Sequence, residues 1–149
     1  MMGPEDPHDL RRFVEAQEGH YQRALSEVRA GEKRSHWMWF VFPQFDGLGY
    51  SPMSRRYAIK SIAEAEAYLH HPLLGPRLTE CCEAVLGVKN RSANEIFGLP
   101  DDGKLCSCAT LFAGVPSPGS VFERVLRKYY DAVPDPMTLR LASTAERPT

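Results

Sequence analysis

The feature that most constrains this chain is helix punctuation, which recurs along nearly its whole length with helically spaced apolar residues between the marks. Asp6-Pro7 offers an N-cap followed by a proline whose fixed φ and missing N–H suit a first turn. Leu10, Phe13, Val14, Gln17, Tyr21, Ala24, Leu25 and Val28 then recur at helical spacing, which predicts one long helix stopped at Gly31. Ser61-Ile62-Ala63-Glu64 and Ser92-Ala93-Asn94-Glu95 read as capping boxes, the serine accepting an amide hydrogen while the glutamate reaches back. Pro72 opens a helix carrying Leu74, Leu78, Cys81, Cys82 and Val85 and ending at Gly87, and Leu105, Cys108, Ala109 and Phe112 mark another. Ser117-Pro118 begins the next, and Asp135-Pro136 begins a last one through Leu139 and Leu141.

No segment alternates with period two between hairpin turns. The one strand-like run, Trp37 to Phe42, has Pro43 behind it and no partner, so it reads as a short buried helix capped by Ser35. The expected fold is therefore all-α: a single compact multihelical domain over residues 1–149, with about seven or eight helices. Its ordered core would span about residues 6–142, with frayed tails at 1–5 and 143–149. Periodicity and size place Phe13, Trp39, Phe40, Phe112, Phe122 and Leu126 inside.

Lys and Arg total 18 against 19 Asp and Glu, a formal net charge of -1. That balance argues against nucleic acid or an anionic membrane as partner, since both need a strong basic excess. No run approaches the ~18 apolar residues of a membrane span, and the opening MMGPEDPHDL has no apolar stretch, so a cytoplasmic location is expected. Cys81-Cys82 and Cys106-x-Cys108 are poor zinc spacings, and the expectation is four reduced thiols with no metal and no cofactor.

The stretch KRSHWMWFVFPQFDGLGYSPMSRRYAI, residues 33–59, holds both tryptophans beside a glycine loop and several cations. Most of its aromatics read as core. The polar remainder reads as the rim of a cleft. Gly47 and Gly49 let backbone amides approach an anion, Ser51-Pro52 opens a short helix, and Arg55 and Arg56 follow within about a turn. His36, Gln44 and a stacking Trp37 or Trp39 complete the candidate ligand-binding set, with Arg56 expected to face inward rather than Arg55. A second group, PDDGKLCSCAT, would close that cleft. Asp101 or Asp102 could cap a helix or act as a general base, and Lys104 in the first turn opposes the helix dipole and so calls for a carboxylate or ligand partner. These groups point to binding of a small anionic or nucleotide-like metabolite, with hydrolysis of an ADP-ribose-like N-glycoside as one extension. The alternative is a helical protein–protein interaction module without catalysis.

The segments RFVEAQEGHYQRALSEVRAGEKRSHWMWFVFPQFDGLGYS, EAEAYLHHPLLGPRL, IFGLPDDGKLCSCATLF and VLRKYYDAVPDPMTL resemble the bacterial domain-of-unknown-function 1810 family, whose members are sometimes labelled calpastatin. The resemblance covers about residues 10–142, and HWMWFVFPQ and GLGYS are its most specific motifs. It implies a mainly α, multihelical single domain and no particular activity. Cys106, Ala109 and Ala132 depart from the family pattern, the last standing where a glycine is usual after a helix.

Overall fold

Where the apolar spacing predicts one long first helix, there are two: α1 (Arg11–Gln17) and α2 (Tyr21–Arg29). The structure, a computed structural model, describes residues 6–115 and 120–146. The break falls at Gly19, whose φ of +79° is a conformation glycine adopts without strain, and Glu18 before it is extended. A side-chain stripe survives such a kink, so periodicity alone does not reveal it. The N-cap of α1 is Leu10, not Asp6, and Pro7 lies ahead of the helix, which corrects the Asp6-Pro7 start; the Asp6 carboxylate still accepts from the amides of Leu10 at 2.8 Å and Arg11 at 2.9 Å across the preceding turn. Gly31, with φ +76°, ends α2 as expected.

Three short helices and five longer ones follow: α3 (Met38–Val41), α4 (Pro52–Arg56), α5 (Ile62–His70), α6 (Leu74–Gly87), α7 (Ala93–Phe97), α8 (Asp101–Ala113), α9 (Val121–Tyr129) and α10 (Pro136–Glu146). The described residues thus form an all-α fold of ten helices, seven of them with at least seven residues. No β-strand occurs among them. Phe45 and Ile59 form an isolated bridge that staples the glycine loop, with two N–H···O bonds of 2.8 Å.

The caps explain most boundaries. Ser92 and Glu95 form the full reciprocal box at α7. At α5 only half a box forms: Ser61 accepts from Glu64 N, while Glu64 accepts from the Lys60 amide and turns its other oxygen to Arg12. His71 Nδ1 accepts from the amides of Leu73 and Leu74 and so starts α6. Asp135 caps α10 through the amide and hydroxyl of Thr138. The Ser117-Pro118 start lies outside the described residues, and Ser120 caps α9. α3 begins without a side-chain cap.

α8 packs on α5, α7, α9 and α10, and α6 packs on α2, α5 and α9. The α5–α6 connection is tight because Gly75 lies against the α5 backbone; a Cβ there would stand 2.0 Å from the Leu69 carbonyl oxygen. A run of rings joins the layers: Phe13 meets Tyr68 edge-on at 5.1 Å, Tyr68 meets Phe112 at 5.5 Å, and Phe112 meets Phe122 at 5.5 Å. Phe13, Phe40, Phe112, Phe122 and Leu126 are buried as expected. Trp39 is only half-buried, which corrects its placement in the core; its ring packs under the Lys104 ammonium, 5.3 Å from the ring centroid. Among the described residues no helix is long and apolar enough to cross a membrane.

Candidate functional site

The aromatic stretch is fixed by a residue from α2 that its own sequence does not announce. Glu27 accepts from the amides of Arg34 at 2.8 Å and Ser35 at 2.9 Å, from Ser35 Oγ at 2.6 Å and from Trp37 Nε1 at 2.9 Å. Burial pushes its carboxyl up, but the bonds from Ser35, Arg34 and Trp37 outweigh it and hold the pKa down at about 2. Ser35 therefore serves Glu27 and does not cap α3. Trp37 is 1% exposed and its indole N–H is taken, so it is core and not a stacking platform. His36 is exposed and lines neither concavity described below.

The glycine loop is filled by protein. A Cβ on Gly49 would lie 2.6 Å from Ser54 Oγ, and one on Gly47, at φ +102°, would lie 3.3 Å from Leu141. These glycines admit α4 and α10 rather than a ligand. With Trp39, Gln44 and Tyr57 the loop encloses only about 20 Å³, room for about one water. Ser51 is likewise occupied, accepting from Ser54 N at 3.1 Å and sharing a hydrogen bond with its hydroxyl.

Arg55 and Arg56 face a different space. An open cleft of about 610 Å³ lies between the Pro7–Asp9 loop, α4 and the start of α5, and both arginines line it together with Lys60 and His8. It opens there because Arg12 ties the three elements together beneath it. Arg12 Nε donates to Arg56 O at 2.7 Å, Nη1 to His8 O at 2.7 Å and Asp9 O at 2.8 Å, and Nη2 to Ala58 O at 2.8 Å and Glu64 Oε2 at 2.7 Å. All five donors are engaged, so Arg12 builds the cleft and has none left for a ligand. Arg55, Arg56 and Lys60 form no ion pair among the described residues. Arg56 leans on Tyr57, its guanidinium 5.6 Å from the ring centroid. The Tyr57 hydroxyl, and after it the charges of Asp9 and Glu15, favour its protonated form.

The 101–104 segment meets the aromatic stretch but does not close this cleft. Asp101 Oδ2 pairs with Lys33 at 2.9 Å and its Oδ1 with Lys104 at 3.3 Å, which supplies the carboxylate partner that the position of Lys104 calls for. Lys33 also lies 4.9 Å from the Trp37 ring centroid. Asp102 accepts from Gly103 N and Asn94 Nδ2, and its backbone carbonyl accepts from the Tyr130 hydroxyl. Neither aspartate is the N-cap of α8, which is Pro100, and neither lines the cleft.

Cys81, Cys82 and Cys108 are buried free thiols and Cys106 is half-buried. Burial pushes Cys81 up to about 12, and Cys82 and Cys108 well above their ordinary value, so none is poised as a thiolate. Among the described residues no group of three or more His, Cys, Asp or Glu side chains could hold a metal ion.

Arg12 and Glu27, which organise the cleft floor and the entry to the aromatic stretch, escape sequence reasoning because most of their partners sit in loops that only the fold brings to them. The only signal was indirect: a buried indole N–H demands an acceptor.

A search of curated proteins finds no match. Among solved structures, the conserved hypothetical protein Rv1873 from Mycobacterium tuberculosis is 54% identical, with a TM-score of 0.91 over 93% of this chain and 99% of that one. The family model described as "Protein of unknown function (DUF1810)" matches residues 7–142. With nearly its whole length matched, the chain belongs to the DUF1810 family.

Proposed function

We propose that this protein binds a small anionic metabolite in the cleft between the Pro7–Asp9 loop, α4 and Lys60. The observation that carries the reading is a local charge excess. Four cations, Arg12, Arg55, Arg56 and Lys60, line one concavity with only two carboxylates, Asp9 and Glu64, in a chain whose net charge is -1. Glu64 is neutralised by Arg12, which leaves three rim cations, Arg55, Arg56 and Lys60, against the single carboxylate of Asp9. A concavity with a net excess of positive charge focuses the field and raises the local concentration of anions. Guanidinium groups suit phosphate and carboxylate because their donors form a planar fork. The volume of about 610 Å³ falls in the range of metabolite sites. The reading is one of binding; hydrolysis by Asp101 or Asp102 is not part of it, because both lie outside the cleft.

A thermal-shift screen of phosphorylated metabolites tests this, since a ligand for the native state raises the midpoint by mass action. At least one phosphate ester should stabilise the wild type, and the shift should shrink as salt rises. Absence of any salt-sensitive shift across the screen would reject the reading. The interaction-module alternative draws on exposed apolar side chains at Leu99, Val133, Met137 and Leu139. It predicts that a partner's binding is lost on changing those residues and untouched by Arg55→Ala or Arg56→Ala.

A further inference from the structure

Asp9 is the unexplained member of the cleft. It lines the cavity beside Arg55, Arg56 and Lys60, and its side chain enters no hydrogen bond or ion pair among the described residues. Its backbone has φ +50°, a left-handed conformation that Asp and Asn adopt more readily than other L-residues and that glycine accepts freely. That conformation is imposed from outside: Arg12 Nη1 holds the Asp9 carbonyl at 2.8 Å, and the Asp9 amide donates to Asp6 O at 3.1 Å. The carboxylate thus contributes nothing to the turn that presents it. Towards a bare anion it is a like charge within the binding site, and it weakens the grip of the three cations. Towards a ligand that carries hydroxyl groups beside its anion, it is an acceptor with both oxygens free.

Resting on the anion-binding reading above, we infer that the cleft takes a phosphorylated sugar or polyol, with the phosphate held by Arg55, Arg56 and Lys60 and a hydroxyl donating to the Asp9 carboxylate. A carboxylate that accepts from sugar hydroxyls beside a phosphate-binding element is a recurrent solution to ribose recognition. A nucleobase is poorly served by this arrangement, because no Phe, Tyr or Trp lines the cleft and the small imidazole of His8 is its one aromatic ring, whereas a base is ordinarily held by stacking on a broad ring.

Isothermal titration of the full chain with ribose 5-phosphate, inorganic phosphate and AMP tests the inference, alongside Asp9→Asn. Asparagine tolerates the left-handed backbone, so the variant should keep the wild-type melting temperature. The wild type should bind ribose 5-phosphate at least about tenfold more tightly than inorganic phosphate, because a site built to accept a hydroxyl discriminates against a ligand lacking it. AMP should bind no better than ribose 5-phosphate. In Asp9→Asn the preference should fall below about threefold, mainly through tighter inorganic phosphate as the like charge is removed. Equal wild-type affinity for the two phosphates, or an undiminished preference in Asp9→Asn, overturns the inference while leaving the anion site standing. AMP binding tenfold more tightly than ribose 5-phosphate overturns it in favour of a nucleotide. Binding of no probe overturns both it and the reading beneath it.

Discussion

Glu27 ties residues 34–37, the lead-in to the strand-like run, to α2 through four hydrogen bonds, and its carboxyl is held down at about 2 instead of the ordinary 4.5. The folded pKa is depressed, so in the window between the two values the unfolded state binds more protons. The stabilisation is complete above about pH 5 and is lost as pH falls towards 2. Melting curves from pH 6 to 2.5 should therefore show a shallower acid loss in Glu27→Gln than in the wild type. An equal slope would mean the carboxylate is not held down in the folded state. Glu27→Ala should cost on the order of 2–3 kcal/mol at neutral pH, because it leaves the Trp37 indole N–H buried without an acceptor. Urea unfolding measures this directly. At this scale the sequence was partly legible: a tryptophan with a polar end asks for a partner, but ten residues of chain separate Trp37 from Glu27 and nothing local links them. Arg12 is the harder case. An arginine at the edge of an apolar stripe reads as solvated, and only the fold reveals five acceptors converging on it.

Glycine and its absence decide several element boundaries. Ala132 follows α9 with φ +63°, and its amide donates to Leu126 O at 2.9 Å, so an L-residue occupies a left-handed helix terminus. Ala132→Gly should stabilise the protein by about 0.5–1 kcal/mol, the strain relieved exceeding the extra unfolded-state entropy; a lowered urea midpoint would contradict this. Gly75 is the opposite case. A Cβ there collides with the Leu69 carbonyl oxygen, which is backbone and cannot swing away. Gly75→Ala should cost at least about 3 kcal/mol or prevent folding, read from the same midpoints. Helix existence was well marked by caps and apolar spacing, and Ser92, Asp135, Gly31 and Gly87 mark ends where the structure has them. Glycine's meaning was not. Gly19 breaks a helix whose stripe continues across it, while Gly47 and Gly49 make room for Leu141 and Ser54. A glycine loop beside arginines looks the same in sequence whether a ligand or another helix fills it.

Across the molecule, the all-α class follows from the local signals because each helix boundary is set within a few residues of chain. The site does not, because it depends on which elements meet. Arg55 and Arg56 belong to a cleft with residues 7–12 and 60–64, more than forty positions from the start of that loop, and Arg12 makes that meeting. The Lys33–Asp101–Lys104 cluster is a separate, internally paired feature. Binding at the cleft should therefore depend on the rim cations and little on the glycine loop. Replacing both Arg55 and Arg56 with alanine should weaken a phosphate ester at least about tenfold, with the melting temperature nearly unchanged, since both side chains are exposed.

The location of that binding is the central claim, and amide chemical-shift mapping of the ¹⁵N-labelled protein during titration with ribose 5-phosphate reads it most directly. The account predicts saturable shifts concentrated at His8, Asp9, Arg55, Arg56, Lys60 and Ser61. Shifts concentrated at Gln44–Gly49 or Asp101–Lys104, or none that saturate, would contradict it.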